Sequence, residues 1–454
     1  MGARRRAGAR GLAAAARRQP AARHRGHHPH QPQRRRVPDD RGRAVTGRGA
    51  ALATLRERNF RWYFVSRLVN GVGGTMGSIA LVFAVLEVSS SASALGVVLA
   101  AHSIPMVLFL LVGGVIADRF GRTLVIQTCN VLSGLTQLAI GFLVLTGTAE
   151  LWQLVALTAV NGVVSAASLP ALAGVLPQLV PREQLQPANV LISMQRGVLN
   201  VGGPALGGVL VVTIGAGWAV AIDGVTYLLS AAVLLLVRLP PPAPRDEQSS
   251  VLVDLREGWG YFRRTTWLWV VVLAFSALNA FYVGGFETLG PVLAKATSIG
   301  EVGWGLTLSA GAVGLLVTTV VMLRVRLERP LLWGMVGCTG FGAPMLALGI
   351  HPHLALVLVA AVVGGAGIEL FSLGWNLALQ EHVPEDMLSR AISYDMLGSM
   401  VAVPVGQLLV GPLGVVFGVQ HTILVCALLF VAISLATLGS RAVRDLQRVP
   451  AEVS

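Results

Sequence analysis

Apolar residues in this chain come in long runs, not in alternation. Each run is close to the roughly 20 residues that a helix needs to cross a bilayer. The runs predict spans near 62–87, 94–116, 123–145, 151–176, 190–213 and 217–238. After a polar break they predict 267–293, 302–325, 330–350, 353–379, 393–411 and 415–439. The pattern is that of an all-α membrane protein with twelve transmembrane helices.

The polar residues between the runs carry a second signal. The even-numbered connections and the terminal flanks hold Arg119, Arg122, Arg182, Arg245, Arg256, Arg263, Arg264, Arg326, Arg329, Arg390, Arg441, Arg444 and Arg448. The odd-numbered connections hold a single base, Lys295. Short arginine-rich loops stay in the cytoplasm. Both termini are therefore expected inside a cell (plasma) membrane that the chain crosses many times, which requires an even number of spans.

Composition agrees. The 454 residues are 54% hydrophobic and 13% charged, against about 25% charged in soluble domains. The net charge of +13 suggests nucleic acid until its placement is read: fourteen arginines lie in the first fifty residues, and most others flank apolar runs. No nucleic-acid partner is expected. The partners expected are the lipid bilayer, a small-molecule substrate and protons, with the protein acting as a monomer. Cys129, Cys338 and Cys426 fall in separate apolar runs and give neither a disulfide framework nor metal spacing. No cofactor is expected.

Residues 1–50 read as a disordered basic tail without the apolar core of a signal peptide. An over-extended start of the reading frame is the other reading. His24, His27, His28 and His30 lie in this tail, either as metal ligands or as simple tail residues. The first six spans form a half over 51–239, and a cytoplasmic linker follows over 240–266. The second half covers 267–440, and a cytoplasmic tail covers 441–454. In the linker, Pro240–Pro242 and Pro244 stop the sixth helix. Leu252, Leu255, Trp259 and Phe262 then fall at helical spacing, as in a helix lying on the membrane surface.

The halves repeat. Val180–Leu185 and Ala188 align with Val383–Leu388 and Ala391 at an offset of 203, which also carries Gly203 onto Gly406 and Gly208 onto Gly411. Duplicated six-helix halves related by an axis along the membrane normal are a transporter architecture.

Between the second and third spans lie Gly114, Asp118, Arg119, Gly121 and Arg122. Gly121 permits a sharp bend, and the charges fix this turn at a water-facing surface. The pattern Gly-x-x-x-Asp-Arg-x-Gly-Arg resembles the loop between helices 2 and 3 of the major facilitator superfamily. Thr123 stands where that family usually has a third base. Val180-Pro181-Arg182-Glu183-Gln184-Leu185 with Ala188-Asn189, and Asp254-Leu255-Arg256-Glu257-Gly258-Trp259, resemble the branch with the enterobactin exporter and macrolide-efflux proteins. The resemblance covers about residues 55–445 and implies the major facilitator fold. Gly203, Pro204, Gly207 and Gly208 in helix 5 resemble the core of the family's antiporter motif. Small residues also let backbones approach, and Pro204 permits a bend, so ordinary helix packing is the other reading. Drug exporters of another branch carry an arginine in helix 4, four residues before a glycine; here Thr158 precedes Gly162.

Ionisable groups inside spans are functional candidates. Glu369, inside helix 10, is the leading proton-coupling candidate, with Glu287 of helix 7 second. A neutral, hydrogen-bonded carboxyl is the alternative for Glu369, and an acid at the outer mouth is the alternative for Glu287. Arg67 and Asn70 share a face of helix 1, and Arg196 and Asn200 repeat the pairing in helix 5; Arg67 could instead snorkel to the interface. Asn161, Asn279 and Asn376 are cavity candidates or helix-packing groups. His102 could titrate or simply pack. Asp118 and Asp395 suit a latch between the halves.

No Gly-x-x-x-x-Gly-Lys-Ser/Thr loop occurs, so ATP drive within this chain is not expected, and no catalytic motif points to an enzyme. The expected function is secondary transport by alternating access: proton-coupled efflux of a small amphipathic compound such as a drug, macrolide or siderophore. The alternatives are an uptake symporter and a non-transporting scaffold or sensor.

Overall fold

The computed structural model describes residues 54–181, 184–237, 259–325 and 327–448. The histidines of the N-terminal tail and most of the linker lie outside that set. Among the described residues, twelve helices are long and apolar enough to cross a membrane. They are α1 (Arg58–Val88), α2 (Ala92–Phe120), α3 (Arg122–Leu145), α4 (Leu151–Leu179), α5 (Leu185–Ile214) and α6 (Ala216–Leu234). Then come α7 (Thr266–Lys295), α8 (Gly300–Met322), α9 (Pro330–Ile350), α10 (Leu354–His382), α11 (Glu385–Phe417) and α12 (Val419–Thr437). A short α13 (Arg441–Arg444) follows.

Glycine sets three of the helix junctions. Gly121, Gly215 and Gly418 each have φ near +90° and separate consecutive helices by a single residue. An L side chain would be strained there. This corrects the expected end of the eleventh span. Pro412 does not stop α11; the helix continues to Phe417, where Gly418 ends it. Within α9, Pro344 removes a helical donor and the helix breaks at Gly342. Within α7, Val283–Thr288 widens into a π-helical turn.

Packing follows the duplication. In the first half, α1 packs on α5 and α6, α2 on α4, and α3 on α4 and α6. In the second, α7 packs on α11 and α12, α8 on α10, and α9 on α10 and α12. The halves meet along α2–α11 and α5–α8. Glycines explain why the backbones come so close. A Cβ on Gly162 would strike the backbone of His102, and one on Gly365, 203 positions later, would strike the backbone of Gly311. Gly96 abuts the carbonyl of Gln407, and Gly305 abuts that of Pro204. Gly208 faces Glu301 and Val302, while Gly411 faces Ala92 and Ser93. Each glycine of one seam thus has a partner doing the same work in the other.

The end of the linker and the stretch after α13 dock on one face of the bundle, the face bearing the arginine-rich connections. Trp259 stacks on Phe262 at 5.7 Å, and both rings meet Tyr394 of α11. Tyr261 donates to the carbonyl of His382. Arg448 pairs with Glu381 at 2.9 Å. On the opposite face, Lys295 Nζ donates to the carbonyl of Leu86 at 3.0 Å and joins the halves.

Candidate functional site

The interior of the first half is polar. Ser66 of α1 bonds to Ser230 of α6, and Asn130 of α3 donates to the same hydroxyl at 3.1 Å. Ser133 donates to Asn161 of α4, whose amide donates to Thr136. Gln137 Nε2 donates to Asp223 Oδ2 at 2.9 Å. Arg67 donates to Asn70 at 3.1 Å, the pairing expected from their spacing.

The interior of the second half is aromatic. Phe275 stacks on Phe371 at 4.4 Å, and Tyr282 stacks on Phe341 at 4.0 Å. Phe286 leans on Trp304, and Phe430 closes the group against Phe341. Tyr282, Phe286 and Phe341 line a cavity of about 150 Å³ between α7, α8, α9 and α10. Its α10 wall includes Gly364, Gly365 and Ile368. Glu369 is the next residue, half-buried, and accepts a 2.7 Å hydrogen bond from Thr319 Oγ1 of α8.

Glu287 sits on the π-helical turn of α7. Its side chain is exposed, and it is not among the residues lining the aromatic cavity. The wide turn has a packing cause. Gly284 presses on Val410 and Gly406, and Gly285 on Cys426.

The remaining candidates divide. Asn161 is 9% exposed and spends its amide inside the first half. Arg196 and Asn200 are exposed, and Asn376 donates to its own helix at Ser372. Asn279 is half-buried. In helix 5, Gly203 abuts Thr75, Gly207 abuts Met76 and Ile79, and Pro204 meets Gly305 through its carbonyl. In the loop motif Gly121 makes the turn, Arg119 lies over the Phe120 ring at 5.8 Å, and Arg122 donates to the carbonyl of Gly174. Gly114 and Asp118 are helical, and their side chains lie outside the described set. Asp395 accepts from Trp375 Nε1 at 3.0 Å. His102 meets Ser165 between α2 and α4. Among the described residues no group of His, Cys, Asp and Glu is placed to hold a metal ion, and the three cysteines are buried and free.

A family described as transmembrane secretion effector matches residues 49–450. The chain belongs to this family of major facilitator transporters. It is 25% identical to the multidrug efflux pump Tap of Mycolicibacterium fortuitum, over 80% of this chain and 90% of Tap. It is 25% identical to the enterobactin exporter EntS of Citrobacter koseri, over 78% of this chain and 85% of EntS. A solved structure of a bacterial homologue of the lysosomal transporter Spinster has the same fold, with a TM-score of 0.65 at 15% identity, covering 88% of this chain and 99% of that one.

The chain is thus a multi-pass membrane transporter of small molecules and not an enzyme. Three groups outside the sequence-derived candidates are held by hydrogen bonds between helices: Asp223 and Gln137, and Thr319 with Glu369. Asp223 was open to detection, because it is an acid inside a predicted span, as Glu369 is. Gln137 and Thr319 gain meaning only from the helices they face.

Proposed function

We propose that this transporter exports a small amphipathic compound across the plasma membrane in exchange for protons, by alternating access. The observation that carries the reading is Glu369. It is a carboxyl in an apolar helix, beside an aromatic cavity, held by one hydroxyl. Among the described residues no Lys or Arg pairs with it. A carboxyl so placed is able to exchange a proton for a cationic or polar group of the substrate. Glu287 assists from the facing helix α7. Arg67, Asn70, Arg196, Asn200, Asn279 and Asn376 supply polar lining. The names of Tap and EntS support the outward direction.

Both termini lie in the cytoplasm, in keeping with the arginine-rich connections. The face joined by Lys295 and Leu86 is then extracellular. The loop of Gly114, Asp118, Arg119, Gly121 and Arg122 controls opening at the cytoplasmic face. Gly203, Pro204, Gly207 and Gly208 let α5 slide on α1 and α8.

The test is proton movement in proteoliposomes loaded with a pH dye, challenged with a lipophilic cationic dye, a macrolide and a catecholate siderophore. Proton flux triggered by one compound, and reduced at least tenfold in Glu369→Gln at equal protein level, is the expected outcome. Wild-type flux in Glu369→Gln would remove the carboxyl from the mechanism.

A further inference from the structure

Asp223 is 2% exposed, in the middle of the first half. Its carboxyl is walled in by α1. A Cβ on Gly77 would run into the carboxyl group, and one on Gly73 would meet Thr226 and lie 2.8 Å from Oδ1. From α3, Gln137 Nε2 donates to Oδ2. The two remaining oxygens of this pair, Asp223 Oδ1 and Gln137 Oε1, are both buried without a hydrogen-bond partner.

The charges around it give no relief. Gln137 of α3 is neutral. Tyr227, one turn along α6, is the titratable neighbour, and Arg67 of α1 faces that phenol, not the carboxyl. Arg196 of α5 faces Tyr63. An ionised carboxylate here would be a buried charge without a counter-ion, which is strongly unfavourable. An acid and an amide have complementary edges. A proton on Oδ1 removes the charge and turns an acceptor that has no donor into a hydroxyl, while Oδ2 keeps the amide N–H.

The duplication shows that the fold does not need a carboxyl at this position. The offset of 203 that carries Gly215 onto Gly418 carries Asp223 onto Cys426 and Tyr227 onto Phe430. The surroundings match: a Cβ on Gly77 would lie 2.8 Å from the Cβ of Asp223, and one on Gly285 of α7 would lie 2.9 Å from the Cβ of Cys426. The second half closes the same joint with a thiol.

We propose that Asp223, paired with Gln137, is a second proton-binding site, and that its proton exchanges with water as α1 moves during transport. The exchange part rests on the proton-coupled reading above. The chemistry is one protonation: carboxylate plus proton gives carboxylic acid, with no other bond made. A polar route leads away from it. Tyr227 is a turn nearer the arginine-rich face, beside Asn70 of α1, and Asn70 accepts from Arg67. When α1 sits tight, Gly73 and Gly77 seal the carboxyl, and only the protonated acid fits the joint. When α1 lifts, the carboxyl meets water and releases the proton.

The test is infrared spectroscopy of the full-length protein in lipid, reading the carbonyl stretch of protonated carboxylic acids as pH is varied. Asp223→Asn is isosteric with the protonated acid and keeps the amide pairing, so it folds. The expected result is a carboxylic-acid band that titrates in the wild type, is missing in Asp223→Asn, and titrates at a different pH in Gln137→Leu, which removes the amide beside the carboxyl. In the proteoliposome assay with the lipophilic cationic dye, Asp223→Asn is expected to keep dye counterflow and to lose at least tenfold in pH-driven accumulation. A wild-type spectrum without the band, or a band that never titrates, overturns the proposal, as does wild-type pH-driven accumulation in Asp223→Asn. If the wild type itself shows no pH-driven accumulation, the proton-coupled reading fails, and the titration of the band alone decides whether Asp223 binds an exchangeable proton.

Discussion

In the first half, α6 turns Asp223, Thr226 and Ser230 toward α1 and α3, and the space between the helices is filled by hydrogen bonds. In the second half, α12 turns Cys426, Phe430 and Ser434 inward, and the same space is filled by stacked rings. The backbone joints correspond, from Gly162 and Gly365 to Gly215 and Gly418. The acids do not: Asp223 corresponds to Cys426, and Glu369 corresponds to Ala166, which is fully buried. Close helix contact depends on small residues at fixed places, and these are common to both halves. What occupies the gaps is free to diverge. The first half has become a hydrogen-bonded body with a buried acid, and the second an aromatic lobe with acids at its edge.

The sharpest way to break this comparison is at the shared joints. Gly162→Leu and Gly365→Leu each push a side chain into a facing backbone, where overpacking costs about 1–3 kcal/mol or more. Both are expected to lose most folded protein, judged by monodisperse yield in detergent. If one is tolerated, the two joints are not equivalent.

A smaller and opposite pair of effects separates the interiors. Asn161→Leu strands Ser133 and Thr136, at about 1–3 kcal/mol. Phe341→Leu loses a stacked pair worth about 0.5–1.5 kcal/mol. Thermal unfolding is expected to drop more for Asn161→Leu, while affinity for the transported compound drops only for Phe341→Leu. Equal loss of affinity in both would place substrate against Asn161 of α4 as well.

The smallest effect concerns the contact between the halves. Lys295→Met removes one part-buried hydrogen bond to Leu86, worth about 1 kcal/mol. It is expected to leave the melting temperature unchanged and to raise labelling of a cysteine placed at Ser93, beside the seam with Gly411. Unchanged labelling would mean that the glycine contacts hold that face closed without it.

Much of this architecture could be read without coordinates, because a bilayer is a strict solvent. It requires long apolar helices, and it leaves arginines on one side. The sequence therefore determined the twelve spans, the break between halves, the family loop and part of the repeat. Glu369 stood out because a charge in an apolar run needs no neighbours to be conspicuous. That α11 runs past Pro412 and ends only at Gly418 was decided by backbone geometry, which hydropathy does not register.

Other features depended on tertiary pairing. Arg67 and Asn70 met as their spacing implied, since that contact is local to one helix. Asn161 was indistinguishable in sequence from Asn376, yet one is bonded inside a half and the other is exposed. The joining of Gln137 to Asp223 and of Thr319 to Glu369 spans 86 and 50 positions. Which polar groups satisfy one another, and which oxygens are left without a partner, is a property of facing helices. No single helix carries that information, so only the folded bundle decides it.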